Sequence, residues 1–205
     1  MLCILNMRYI AFDCETSGLS SQSNLLTVCF IVLDANFVET DRLSIALQQT
    51  DGYHVYPEAL SVNGIDLIKH HNTSTDLDTA RERLANFLTK NRGAYNLIPI
   101  GHNISFDIGF IQSSGLLTQK EYNQWISHNS IDTLVVAQFL KTTGSLPSKQ
   151  SISLVNLCKY FGIIRKPHLE HNCEYDTEMT IQLLKRLIVI VQHPSSNIQR
   201  KRKRI

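Results

Sequence analysis

The chain has no Cys-x-x-Cys pair, no long apolar run and no excess of charge. Its five cysteines (Cys3, Cys14, Cys29, Cys158 and Cys173) are an odd number at scattered spacings. That pattern argues against a disulfide framework or a zinc knuckle and for a reducing compartment. The longest apolar run near the C-terminus, Leu187 to Val191, is far too short to cross a bilayer, so no membrane partner is expected. Met1 to Met7 lacks a basic lead and a long apolar region, and Arg8 interrupts it. A signal peptide is therefore not expected, and the expected location is cytoplasmic, or nuclear in a eukaryotic host. With 43% hydrophobic and 19% charged residues, the composition is that of a globular chain, not a disordered one.

At 205 residues the chain can build one good core, and it reads as one domain over residues 1–195 with a short tail at 196–205. The net charge of +2 is unevenly placed. Arg200, Lys201, Arg202, Lys203 and Arg204 are all basic, while residues 1–199 hold fifteen basic against eighteen acidic residues, a net of −3. A basic tail on a mildly acidic body reads as an electrostatic hand for a phosphate backbone, as a nuclear-import address, or as a frayed solvated end.

The patterning predicts the elements in order. Tyr9 to Phe12 is an apolar strand that runs into Asp13-Cys14-Glu15 and a Thr16-Ser17-Gly18 turn. Leu25 to Leu33 reads as a fully buried strand, rich in β-branched and aromatic residues. Phe37 to Leu47 reads as its antiparallel return, with one exposed face. Residues 48–73 read as irregular, apart from a short helix from Glu58 to Val62 opened by Pro57 and a turn at Asn63-Gly64. Thr75 is the expected N-cap of a helix that turns Leu77, Ala80, Leu84, Phe87 and Leu88 inward and stops at Gly93. Leu97 to Gly101 is a fourth strand, and its proline places part of it at an end or edge.

His102-Asn103 opens a helix through Ile111, and Ile131-Asp132 closes a short fifth strand. Helices follow from Thr133 to Lys141, from a cap at Ser151 or Ser153 to Gly162, and from Cys173 to Gln192. The last carries Met179, Leu183, Leu184, Leu187, Ile188 and Val191 inward. Strands first, then helices interleaved with two more strands, give an α/β domain. The expected architecture is a mixed five-stranded sheet flanked by helices, the order of the RNase H-like fold.

Side chains two apart on a strand share a side, so Asp13 and Glu15 project together. Two carboxylates on one face repel unless a cation lies between them, and hard oxygen ligands suit Mg²⁺ or Mn²⁺. Strand ends are often acidic, and Asp-x-Glu alone decides nothing. Asp107, about one and a half turns into its helix, faces the pair if the fourth strand lies beside the first. Taken singly, Asp107 reads as a helix-dipole partner, Asp176 as a helix cap, and His171 as a surface histidine. Jointly, four acids at four element ends, with a histidine five residues before the last, point to one site.

These residues resemble the DEDDh (DnaQ-like) 3′→5′ exonuclease family of the RNase H-like superfamily. The first motif stands as Phe12-Asp13-Cys14-Glu15-Thr16-Ser17-Gly18, and the second as His102-Asn103-Ile104-Ser105-Phe106-Asp107. The third stands as His171-Asn172-Cys173-Glu174-Tyr175-Asp176, with Cys173 where alanine is usual. The resemblance runs from about residue 8 to residue 190. It departs at Asn63-Gly64-Ile65, where many members have His-Gly-Ile, a change expected to bear on local structure and not on metals. His168 is expected to be a loop residue, because only His171 has the right spacing to Asp176.

The resemblance implies that Asp13, Glu15, Asp107 and Asp176 hold two Mg²⁺ or Mn²⁺ ions and that His171 is the general base. It places the terminal nucleotide against Thr16, Leu19 and Phe106, with His102 and Asn103 ordering the site. The implied substrate is a single-stranded nucleic-acid 3′ end, DNA favoured, with a DNA polymerase as a further partner. An exoribonuclease of the ribonuclease T or oligoribonuclease type, and a non-hydrolytic binding module on the same fold, stay open beside it.

Overall fold

β1 (Tyr9–Thr16) is the middle strand of a five-stranded sheet. β2 (Leu25–Leu33) and β3 (Glu39–Ala46) lie antiparallel on one side of it. β4 (Ile98–Gly101) and β5 (Ile131–Asp132) lie parallel on the other, giving the order β3-β2-β1-β4-β5. The computed structural model describes residues 7–20, 22–164, 166, 169 and 171–192. Cys3, His168 and the basic tail at 196–205 lie outside the described residues.

Helices cover both faces. α3 (Leu77–Asn91) and α4 (Ile104–Ser113) pack on one face, where Ile10 and Phe12 of β1 meet Phe30 of β2, Leu84 of α3 and Ile111 of α4. α8 (Cys173–Gln192) packs on the other, where Tyr9, Ala11 and Ile31 meet Ile181 and Leu184. α6 (Thr133–Thr142) and α7 (Leu154–Tyr160) then close over the outer side of α8 through Leu140, Leu157 and Leu183. Because both faces of β2 are covered, it is apolar almost throughout instead of alternating. The edge strand β3 has solvent on one side and is the more polar.

This two-sided core fixes the register of β1. Each buried Ile or Phe contributes roughly 1.5–3 kcal/mol, and a slip of one residue would move every such side chain to the wrong face. The same alternation that sends Tyr9 and Ala11 toward α8 sends Asp13 and Glu15 to that side.

Three helices depart from the sequence expectation. α1 (Pro57–Asn63) is followed by α2 (Leu67–Thr73), so residues 48–73 are less irregular than expected. The side chain of Asp66 caps α2 through the amides of Ile68 and Lys69. The N-cap of α3 is Asp76, not Thr75, and the helix stops at Asn91 before Gly93. α5 (Gln119–Trp125) carries a full capping box, Thr118 with Glu121, and Arg81 ties it to α3 by reaching the Gly115 carbonyl and Glu121.

β4 is an inner strand, not an edge. Its proline is tolerated there because β5 pairs only with Ile100 and Gly101, leaving Pro99 outside that ladder. On α8, Val191 is exposed, since the apolar layer it was expected to join ends at Ile190. Among the described residues, no helix is long and apolar enough to cross a membrane.

Candidate active site

β1 outruns its neighbour β4. The last β1–β4 pair is Ala11 with Ile100, so beyond it the β4 side of β1 has no strand partner. The Cys14 amide, which a longer β4 could have met, donates instead to Asp107 Oδ1 at 2.9 Å. Asp107 is the fourth residue of α4, one turn in and slightly earlier than the spacing suggested, and it is buried.

Two devices set the start of α4. Gly101 is required because a Cβ there would lie 2.7 Å from the Ile104 side chain. Asp132, at the N-terminus of α6, accepts the amides of Asn103 and Ile104 at 2.9 and 3.1 Å and also that of Leu134 at 2.9 Å. One carboxylate thus caps two helices. Asn103 itself adopts the left-handed conformation with φ of 68° and gives no side-chain cap. His102 Nδ1 lies 2.8 Å from the Thr133 hydroxyl, which donates to the Gly101 carbonyl at 3.0 Å. That hydroxyl's proton is already used, so His102 Nδ1 carries the proton of this bond. Burial holds the His102 ring below the usual histidine range. Both residues shape the turn that delivers Asp107.

Asp13, Glu15 and Asp176 converge. One carboxylate oxygen of each lies within 4.8 Å of the other two, close enough to share a metal ion. Asp107 stands beside this trio, engaged with Cys14, and raises Asp13 electrostatically. Burial, then Asp107, Glu15 and Asp176 in turn, push the Asp13 carboxyl well above the usual range. Glu15 is pushed up to about 8 by burial and then by Asp176 and Asp107. Asp107 is pushed up to about 7 by burial, against the lowering effect of its bonds from Cys14. Such acids stay ionised at neutral pH only with a positive charge among them. Oxygen-only donors on rigid elements, short of positive charge, fit a hard divalent cation.

His171 is joined to this cluster through its backbone, and its side chain is exposed. Its backbone is left-handed, with φ of 59°, and its amide donates to Asp176 Oδ2 at 3.0 Å. Asn172 caps the start of α8 through the amides of Glu174 and Tyr175, which fixes where Asp176 points.

Next to the acids lies a cleft of about 680 Å³ lined by Glu15, Thr16, Leu19, Tyr56, Val62, Asn63 and Phe106. Leu19 is 85% exposed over its mouth, and Phe106 is steadied by Phe110 at a ring separation of 4.8 Å. The Thr16 hydroxyl is used within the turn, donating to the Gly18 carbonyl at 2.7 Å. Tyr56, Val62 and Asn63 form a wall that the sequence reading did not include in the site. The segment is stitched to the end of β1 by Tyr56 N–H to Ser17 O at 2.8 Å and Ser17 Oγ to His54 O at 2.7 Å. Gly18 permits the approach, since a Cβ would sit 2.3 Å from the Tyr56 ring. Pro57 marked the helix behind this wall, but only long-range contacts bring it to β1.

The strand order and flanking helices are those of the RNase H-like fold. Residues 10–184 match the RNase T family model, described as an exonuclease, and the chain belongs to that family. It is 30% identical over 176 residues to a PolC-type DNA polymerase III of Pediococcus pentosaceus, covering 84% of this chain and 11% of that protein. It is 24% identical over 182 residues to ribonuclease T of Actinobacillus pleuropneumoniae, covering 85% of this chain and 80% of that protein. Exonuclease I of E. coli in complex with a dT13 oligonucleotide matches with a TM-score of 0.68 at 18% identity, over 92% of this chain and 42% of that one. The chain thus spans a small part of the polymerase, under half of exonuclease I and most of ribonuclease T.

Proposed function

We propose that this chain is a 3′→5′ exonuclease that shortens single-stranded nucleic acid, DNA favoured, by releasing nucleoside 5′-monophosphates. The observation that carries the reading is the meeting of Asp13, Glu15 and Asp176 within 4.8 Å beside an apolar cleft. Asp13, Glu15 and Asp176, with Asp107 next to them, would hold two Mg²⁺ or Mn²⁺ ions. When bound, such ions lower the pKa of a coordinated water and stabilise the departing oxygen.

The chain's own residues account for the rest. The imidazole of His171 takes the proton from the attacking water, the task of a general base, for which histidine is the commonest side chain. Water adds to phosphorus, the P–O3′ bond breaks, and the 3′-oxygen leaves on the shortened strand. Leu19 and Phe106 offer apolar surfaces to the terminal base. Base stacking of this kind contributes about 1–3 kcal/mol per base without selecting a sequence. The backbone around Thr16 faces the sugar.

Support for DNA comes from the polymerase relative and from the bound oligonucleotide of exonuclease I. A protein named as a polymerase also supports a polymerase partner. The match to ribonuclease T, over 80% of its length, favours a second reading as an exoribonuclease. A single assay separates them. Matched single-stranded DNA, duplex DNA and RNA, each with a free or blocked 3′ end, are incubated with Mg²⁺ or Mn²⁺. The expected result is fastest shortening of single-stranded DNA, arrested by the 3′ block. Faster RNA digestion selects the second reading, and binding without shortening rejects both.

A further inference from the structure

We propose that Asn63 is a positioning residue that holds the end of β1 in the shape that aims Glu15. The register between β1 and β2 shifts between Glu15 and Thr16: Glu15 pairs with Thr27, but Thr16 pairs with Leu25. The residue passed over is Leu26 of β2, and a bulge of this kind bends and twists the strand pair where Glu15 projects. The Thr16 carbonyl lies two residues on from the Cys14 amide, on the side of β1 that β4 does not reach, and it finds its partner elsewhere. Asn63 Nδ2 donates to the Thr16 carbonyl at 3.1 Å, across forty-seven residues of chain.

Asn63 is itself anchored. Its Oδ1 accepts the Ile65 amide at 3.1 Å, and Gly64, with φ of 67°, ends α1 and turns the chain so that both bonds form. Thr16 is 7% exposed, so its carbonyl has little access to water. Loss of the donor leaves a buried acceptor unpaired, and the strand end must move to resolve it. The residue that moves with it is Glu15, one of the three convergent carboxylates. Asn63 and Glu15 also line the same cleft. The role assigned to the side-chain amide is exerted through its bond to the Thr16 carbonyl.

This inference rests on the exonuclease reading for its activity arm and is independent of that reading in its binding arm. The binding arm measures Mn²⁺ affinity of the purified chain by calorimetry for the wild type, Asn63→Asp, Asn63→Ala and Asn63→His. Asn63→Asp keeps the shape and the acceptor for Ile65 but loses the donor. Its added negative charge beside the cleft would by itself strengthen cation binding. Supporting groups behind metal ligands typically set affinity by about 10- to 100-fold, so Mn²⁺ binding by Asn63→Asp and Asn63→Ala should weaken by at least ~10-fold.

The Mn²⁺ concentration giving half-maximal digestion should rise by the same factor, while the rate at saturating Mn²⁺ stays within about threefold. Asn63→His, which regains an N–H donor, should recover most of the affinity. Should Asn63→Ala fail to fold, the isosteric Asp variant carries the test. Wild-type or tighter Mn²⁺ binding by Asn63→Asp overturns the inference. A wild type that binds Mn²⁺ but digests nothing sinks the exonuclease reading and leaves this one standing.

Discussion

Two groups of carboxylates on one sheet are held in opposite ways. On β3, Glu39 and Asp41 sit among partners: Arg42 lies 2.8 Å from Glu39, and Lys90 and Asn91 lie 2.8 and 2.7 Å from Asp41. Arg42 also reaches Glu178 of α8 at 2.8 Å, pinning the edge strand to that helix. The hydrogen bond from Arg42 lowers Glu39, and that from Lys90, followed by Asn91, lowers Asp41. At the end of β1, Asp13 and Glu15 have no ion pair among the described residues, and their nearest charges are other acids. Folding neutralises the first group and concentrates the second. Charge that the fold gathers and does not pair stabilises nothing by itself, which is why such clusters mark functional sites.

The largest break in this comparison should come from the unpaired group. Asp13→Ala or Asp107→Ala is expected to lower digestion by at least about 10³-fold, equivalent to roughly 4 kcal/mol in the barrier. Asp41→Asn should leave the rate within about twofold, as expected for a surface position remote from the chemistry. Gel assays with the three purified variants, each checked for folding by circular dichroism, read this directly. Equal losses in all three would mean that the cluster has no special role. His171→Ala comes next, with a loss of about 10²–10⁴-fold in kcat, the usual contribution of a general base. Its KM for an oligonucleotide should stay near the wild-type value. An unchanged kcat removes His171 from the chemistry.

Acid–base linkage gives the two groups opposite signs. The raised carboxyls at β1 bind protons more tightly folded than unfolded. Without a cation among them, their contribution is most favourable below about pH 4, the ordinary carboxylate range, and declines as pH rises toward the value of about 8 for Glu15. Mg²⁺ or Mn²⁺ should therefore raise the melting temperature strongly at pH 8 and little at pH 5. At a hundred times Kd an ion adds about 2.7 kcal/mol, or about 5–10 °C for a chain of this size. Glu15→Gln should raise the metal-free melting temperature at pH 8, because it removes a repelled charge. A cation effect equal at both pH values would show that the ion binds elsewhere.

Much of this was legible in sequence, for reasons that are local. Asp13 and Glu15 share a side because strand geometry has period two, and the apolar run before them can only be a buried strand. α8 begins and ends at the residues its periodicity marks. What escaped was encoded at a distance or by a competing local signal. The Asp66 cap of α2 was obscured by the polar residues after it, and the Thr118-to-Glu121 capping box went unread although its spacing is diagnostic. Asn63 read as turn chemistry, and turn chemistry is half of what it does. Its second bond, to Thr16, depends on β1 running past β4 and on the close approach that Gly18 allows, neither of which spacing reveals.

The smallest expected effect lies in the paired group and tests whether pairing is structural alone. Asp41 is lowered by its partners, so it contributes stability above the ordinary carboxylate range and loses it as pH falls through its depressed pKa. This is the reverse of the β1 acids. Asp41 sits near the surface, where a single ion pair typically contributes only about 0–1 kcal/mol. Asp41→Asn should thus cost at most ~1 kcal/mol at pH 7, and the difference from wild type should shrink toward pH 2. Urea unfolding of both proteins at the two pH values measures it. The cost should also shrink in 1 M NaCl, because exposed charges are screened there over about 3 Å. A larger, salt-insensitive loss would mean that Asp41 anchors β3 through Asn91, whose side chain it shares with the Phe87 carbonyl at the end of α3.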